Sequence, residues 1–327
     1  MVEIYISWVK GLSQNKEVLR ILRESGIISG IERVIIDEET LRIKEGSLKI
    51  SLHNPGNINL ANPDLNKFFK SNGENVLKAI KESDTSVVGF HCGYSAKEVY
   101  KMVSYPNIPK PNTIINDIHQ LIERFSKNLT FLDSKINETP PIKYILIENM
   151  DYVREGKKVI WDIQEKDIKK KKEEIEETIF RYGINSGLLY VTDPSFIKEV
   201  LDKSKVGFLF DVAHAFISAD AKRHERKPKY TIEDYFNEMI DASKGRTYQI
   251  HVNVPGGNEE TGYLDYHNMF TPRERLSDYI MELTKLIVSK SPEIVVLTLE
   301  MKTDLKPIHY VRGMIRQAEY LTKRLNL

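Results

Sequence analysis

Short apolar runs rich in β-branched residues alternate along this chain with longer stretches in which apolar residues recur every three or four positions. The runs are EIYIS (3–7), ERVII (32–36), LKISL (48–52), SVVGF (86–90), KYILIE (143–148), VGFLFD (206–211), TYQIHV (247–252) and IVVLTLE (294–300). Apolar runs of this length, nearly without polar alternation, read as strands buried on both faces, the mark of a parallel sheet. The stretches at 14–25, 64–82, 96–103, 112–133, 166–182, 194–203, 231–243, 272–290 and 307–325 read as helices. Eight strands with helices between them predict a (β/α)8 TIM barrel, an α/β fold.

Two connections are long. About 50 residues separate Cys92 from Lys143 after strand four, and about 56 separate Asn149 from Val206 after strand five. Insertions of that length predict extra elements, including a hairpin at YVREGKKVIWDI (152–163). KDIKKKKEEIEETIF (166–180) reads as a solvated helix. With no internal repeat and no linker-like segment, 1–327 is expected to form a single barrel domain.

Composition narrows the class. With 41% hydrophobic and 29% charged residues the chain is expected to be globular, and a net charge of +1 supplies no global field toward nucleic acid or anionic membrane. No basic leader precedes an apolar segment and no apolar stretch is long enough to span a bilayer. The single cysteine, Cys92, allows no intramolecular disulfide and suits a reducing, cytoplasmic setting. Oligomeric state is not legible.

The chemistry lies at the strand ends. Acids close three otherwise apolar runs, Glu148 in YILIE, Asp211 in GFLFD and Glu300 in VLTLE, where an unpaired carboxylate costs several kcal/mol. Such acids need cations. Histidines fall at matching places: His53 after strand three, His91 after strand four, His214 in DVAH, His251 in strand seven, and His267 two residues after Asp265 in DYH. A lone imidazole at a polar rim is more often structural, but barrel active sites lie on this C-terminal face, where nine ligand-capable side chains are expected to meet. Mixed imidazole and carboxylate ligation suits zinc, manganese or iron(II). Cys92 reads as packing, and His119, His224 and His309 as surface or structural residues.

This ordered set resembles that of the endonuclease IV family within the xylose-isomerase-like barrels. HNPGNINLANP (53–63), GFHCGYS (89–95), LIEN (146–149), FDVAHAF (210–216) and HVNVPGG (251–257) are similar to the segments that carry that family's metal ligands. The resemblance implies two or three divalent ions, zinc foremost. One ion takes His53, His91 and Glu148; a second shares Glu148 and adds Asp211, His251 and Glu300; a third takes His214, Asp265 and His267. It further implies a phosphodiesterase or nuclease acting on abasic or otherwise damaged nucleic acid. Glu148, Asp211 and Glu300 then form the catalytic core, Glu300 orienting or deprotonating the attacking water. Asn149 supports the bridging glutamate.

The resemblance does not extend to the DNA-reading surface. The family's lesion-entering aromatic is Gly56 here, the loop after strand two begins DEE (37–39), and the glycines after the Asp-x-His motif are missing from DYHNMFTP. Base-stacking aromatics could come from Tyr94, Tyr263, Tyr266 or Phe270 instead, and KRHERKPKY (222–230) could touch phosphates. Alternatives on the same barrel are an iron-dependent oxidative enzyme, a sugar isomerase or epimerase, and a binding protein with structural metals.

Overall fold

A computed structural model describes residues 2–7, 15–34, 48–100, 108–138, 143–154, 187–226, 229–301 and 306–327. Eight strands form the barrel: β1 (Glu3–Ser7), β2 (Gly30–Arg33), β3 (Lys49–His53), β4 (Val87–His91), β5 (Tyr144–Glu148), β6 (Gly207–Asp211), β7 (Thr247–Val252) and β8 (Val296–Leu299). Each pairs in parallel with its neighbour in sequence, and β8 returns to β1 to close the sheet. Around it run α1 (Lys16–Ser25), α2 (Glu74–Ser83), α3 (Ile118–Ile136), α4 (Pro194–Asp202), α5 (Val212–Arg226), α6 (Ile232–Ala242), α7 (Arg275–Lys290) and α8 (Pro307–Leu325). Side-chain N-caps start several of them, Asn15 for α1, Asp117 for α3, Asp193 for α4 and a Thr231/Asp234 capping box for α6.

Register positions the site. His91 on β4 lies opposite Glu148 on β5, and Asp211 on β6 lies opposite His251 on β7. Because side chains alternate along a strand, the residues two positions earlier share their inward direction. They include Leu146, Leu209 and Gln249, and the first two pack with Tyr5, Val87 and Val296 into an apolar cluster separate from the larger core beneath the helices. The lumen is therefore filled below by apolar side chains and carries donors above.

Several expectations shift. Strand two, expected at 32–36, is Gly30–Arg33, and residues 35–47 lie outside the described ones. The strand starts at a glycine because a Cβ at position 30 would meet Tyr5 Cζ at 2.6 Å and the Lys49 carbonyl oxygen at 2.8 Å. The expected helix 96–103 is not seen over its described part: Ala96 bridges Ile114, and Val99–Tyr100 pairs antiparallel with Ile108–Pro109. The helix at 64–82 is broken into Leu65–Phe68, a wide turn over Phe69–Gly73, and α2. The expected helix 166–182 and most of the hairpin 152–163 lie outside the described residues.

Helix α5 was not legible in the sequence. Residues Val212 to Lys222 are all buried, so the helix has no polar face and hence no amphipathic period to read. It takes in the first half of the basic stretch 222–230, and Lys222 turns inward to donate to the Thr192 carbonyl at 3.0 Å. No helix among the described residues is long and apolar enough to cross a membrane.

Candidate metal centre

The strand ends bring the first group together. His53 Nε2 lies 2.8 Å from Glu148 Oε2, His91 Nε2 lies 3.1 Å from the same oxygen, and the two ring nitrogens are 2.8 Å apart. Behind His91, the Asn54 amide meets Nδ1 at 3.1 Å. The second group uses the other oxygen of Glu148. His251 Nδ1 is 3.2 Å from Glu148 Oε1, 2.9 Å from Glu300 Oε2 and 3.8 Å from Asp211 Oδ2. Glu148 therefore faces both groups, one oxygen to each.

Asp265 centres the third group, its Oδ2 lying 3.4 Å from His214 Nε2 and 2.7 Å from His267 Nε2. Both imidazoles are locked from behind by backbone carbonyls. His214 Nδ1 donates to Asn149 O at 2.9 Å and His267 Nδ1 to Glu300 O at 3.0 Å. A neutral ring held in this way presents Nε2 as its lone-pair side, toward Asp265. His267 adopts the left-handed backbone (φ 52), a strained geometry for a residue other than glycine. The third group adjoins the second, since His214 Nδ1 is 3.9 Å from Glu148 Oε1 and His267 Nδ1 is 4.0 Å from Glu300 Oε2.

An antiparallel ribbon, Val254–Asn258 with Gly262–Asn268, carries Asp265 and His267. Arg154 ties it down: its guanidinium donates to both carboxylate oxygens of Asp220 on α5 at 2.6 Å and to the Glu259 carbonyl at 2.7 Å. Its stem fills the space beside Gly262, where a Cβ would meet Arg154 Cδ at 2.9 Å. Arg154→Ala is expected to cost about 2 kcal/mol, below the usual loss for a broken buried pair because Arg223 still lies 3.3 Å from Asp220. Urea denaturation of the variant beside the parent protein checks this; an unchanged midpoint refutes the clamp.

The donor set fits divalent cations. Buried Glu148 Oε1, Asp211 Oδ2, His251 Nδ1, Asp265 Oδ1 and Glu300 Oε2 make no hydrogen bond, although every one belongs to a group crowded with charge. Burial would lower the His53 pKa, but the charge and hydrogen bond of Glu148 and the charge of Glu32 raise it to about 9. Burial takes His91 the other way, to about 3, with His53 and His214 adding to the fall and Glu148 only partly opposing it. Burial lifts Asp211 to about 7 against the pull of His214. Against their own burial, Glu148 is held well below the carboxylate range by His53 and His91, and Asp265 by His267 and His214. Protons on the raised imidazoles, His53 and His214 among them, offset the acids here, the task that cations perform when ligands bind metal.

Some site residues carry no sequence signal. Glu32 on β2, 4% exposed, reaches His251 Nε2 at 2.9 Å, although in sequence it is only the first residue of an apolar run. Asp151, beside the third group, has its pKa raised by burial, with Asp265 adding and His214 opposing. Asn149 spans β5 and β6, donating to Asp211 O at 2.9 Å and accepting from Asp211 N at 2.8 Å. Cys92 is buried, in keeping with packing. Of the four mouth aromatics, Tyr94, Tyr263 and Phe270 are buried, while Tyr266 is 58% exposed. Gly56 (φ 76) admits no aromatic, since a Cβ there would lie 2.5 Å from Val76 Cγ2. A cavity of about 1020 Å³ opens elsewhere, beside Arg223, Tyr230 and Tyr279, and none of the nine donors lines it. Volume therefore does not locate the chemistry.

No protein-family model matches the sequence, and no curated protein matches it. Solved structures do resemble the fold. A xylose isomerase domain containing protein from Salmonella typhimurium LT2 has a TM-score of 0.56 at 8% identity, over 100% of this chain and 98% of that one. The IolI protein, solved with a bound zinc atom, has a TM-score of 0.55 at 10% identity, over 100% of both chains. A sugar phosphate isomerase/epimerase from Parabacteroides distasonis has a TM-score of 0.50 at 12% identity, over 99% of this chain and 98% of that one. At such low identities the likeness speaks for architecture alone, and that architecture is the (β/α)8 TIM barrel that this chain shares with these xylose-isomerase-like structures.

Proposed function

We propose that this chain is a multinuclear metal-dependent hydrolase that cleaves phosphodiester bonds, with damaged nucleic acid as its substrate class. One observation carries the reading: nine imidazole and carboxylate side chains adjoin in three groups at the C-terminal mouth, with one oxygen of Glu148 toward each of the first two. His53, His91 and Glu148 would hold one ion, Glu148, Asp211, His251 and Glu300 a second, and His214, Asp265 and His267 a third. Zinc suits the thiolate-free donors, with manganese and iron as alternatives. Such ions supply an acidified water and neutralise charge on a phosphoryl group.

The protein's own residues complete the chemistry. Glu300 and Asp265, each with a side chain 17% exposed, are the acids of the cluster nearest solvent, which supports a reading in which Glu300 takes a proton from an incoming water. Asn149, through its paired hydrogen bonds to the Asp211 backbone, holds β6 level with β5. The closed turn at Gly56 supports recognition by contacts other than those of the endonuclease IV family.

A second reading, sugar isomerase or epimerase, draws on a different observation. Glu148, Asp211, His251 and Glu300 alone offer four atoms within 4.8 Å of one another, enough for one ion and a proton-moving acid. The discriminating experiment is Asp265→Ala with His267→Ala in the zinc-, manganese- and iron-loaded full chain. Each is assayed on an abasic duplex, a single strand and a chromogenic phosphodiester, and on phosphorylated sugars. The hydrolase reading expects phosphodiester cleavage that falls by at least about 100-fold in the double variant. Sugar epimerisation that survives the double variant, with no phosphodiester cleaved under any metal, overturns it.

A further inference from the structure

Glu32 stands in the centre with no part in the ligand set above. Its Oε2 accepts from Gln249 Nε2 at 2.6 Å and from Ser51 Oγ at 3.1 Å, so that oxygen is occupied by neutral lumen donors. Its Oε1 accepts no hydrogen bond in this arrangement but lies 2.9 Å from His251 Nε2, a nitrogen that the Gln249 amide also approaches at 3.3 Å. The His251 ring, fully buried, thus spans two environments, with Glu32 on its Nε2 side and Glu148, Asp211 and Glu300 on its Nδ1 side. A neutral imidazole carries one N–H; with an ion on the Nδ1 side, the carboxylate on the opposite side keeps that proton on Nε2.

We propose that Glu32 is the positioning residue of the centre: its carboxylate holds the Nε2–H of His251 and thereby directs Nδ1 at Glu148, Asp211 and Glu300 as a metal ligand. His214 and His267 are fixed in the same manner by the neutral carbonyls of Asn149 and Glu300. Glu32 Oε1 lies 2.9 Å from His251 Nε2 and only 3.9 Å from His53 Nδ1, so the buried carboxylate backs His251 the more closely and makes its free nitrogen the more basic donor. Glu32 also lies with His53 and His251 in a group close enough to grip an ion itself. That use competes with the second group, because it takes His251 through Nε2 and turns the proton onto Nδ1. The two donors already bound to Oε2 leave Oε1 toward the His251 ring and favour the supporting role. The inference rests on the metal-binding part of the proposed function and not on which bond is cleaved.

The experiment is a calorimetric titration of zinc into the metal-free full chain, for the parent, Glu32→Gln and Glu32→Asp, together with 15N NMR of the histidine rings in the zinc-loaded parent. Glu32→Gln is expected to weaken one of the bound ions about 10- to 100-fold while leaving the others, and Glu32→Asp to recover part of that loss. The His251 ring, assigned by its disappearance in His251→Gln, is expected to carry its proton on Nε2 and the metal on Nδ1. Equal affinity for every ion in Glu32→Gln, or a proton on Nδ1, overturns the inference even if the metal centre stands. A parent chain that binds no divalent ion overturns the metal reading itself. Should Glu32→Gln fail to fold, the ring proton of the parent still decides.

Discussion

Glu148→Gln is expected to weaken two ions at once. The carboxylate gives Oε2 to His53 and His91 and Oε1 to His251, beside Asp211 and Glu300, so it is the side chain that the first and second groups of donors share. An amide of the same shape keeps one oxygen, loses the charge, and presents N–H hydrogens to nitrogens and oxygens that need a cation. Element analysis after dialysis should show two ions depleted, each weakened by about 100-fold or more, the upper end of what losing a mere supporting partner costs. Asp265→Asn, confined to the third group, should deplete one. Normal stoichiometry in Glu148→Gln contradicts the sharing of Glu148.

The largest effect on stability is expected from stripping the ions. Each ion held at about a thousand times its dissociation constant adds about 4 kcal/mol, so two or three represent roughly 8 to 12 kcal/mol, comparable with the whole stability of a typical domain. The metal-free protein then becomes sensitive to pH through His53. Its folded pKa is raised to about 9 from an ordinary 6.5, so the folded chain keeps a proton that the unfolded chain has released. That stabilisation is full below pH 6.5 and is lost as pH rises through 9, a loss on the order of 3 kcal/mol. Asp211, raised to about 7, acts in the same direction at lower pH. His91, lowered to about 3, acts oppositely but only below 6.5. Metal affinity runs the other way, because protons compete for the same nitrogens. Melting temperatures should fall from pH 6.5 to 9 after chelation and hold or rise with zinc; parallel profiles refute the idea that cations replace these protons.

Much of this was legible because burial leaves a mark on composition. A carboxylate closing YILIE, GFLFD or VLTLE is costly wherever the strand is buried, so Glu148, Asp211 and Glu300 announced a need for cations before any coordinates. The barrel followed from eight apolar runs, and strands five, six and seven lie within a residue of their expected bounds. The resemblance to endonuclease IV supplied the order of the donors, while Gly56 already stood apart from it. What failed were the elements whose pattern is not periodic: α5, buried over most of its length, and the ribbon at Val99–Tyr100.

The chain by itself determined that a parallel barrel would form and that its strand ends would carry acids and imidazoles, because local hydrophobic pattern decides strand and helix and a buried charge demands a partner. Only the tertiary structure decided which partner. Closure of β2 between β1 and β3 aims Glu32 at His251 from 219 positions away in the sequence, and Arg154 reaches across to Asp220 and Glu259. Such pairings depend on strand register and ribbon placement, and no short window of sequence records where two distant segments come level.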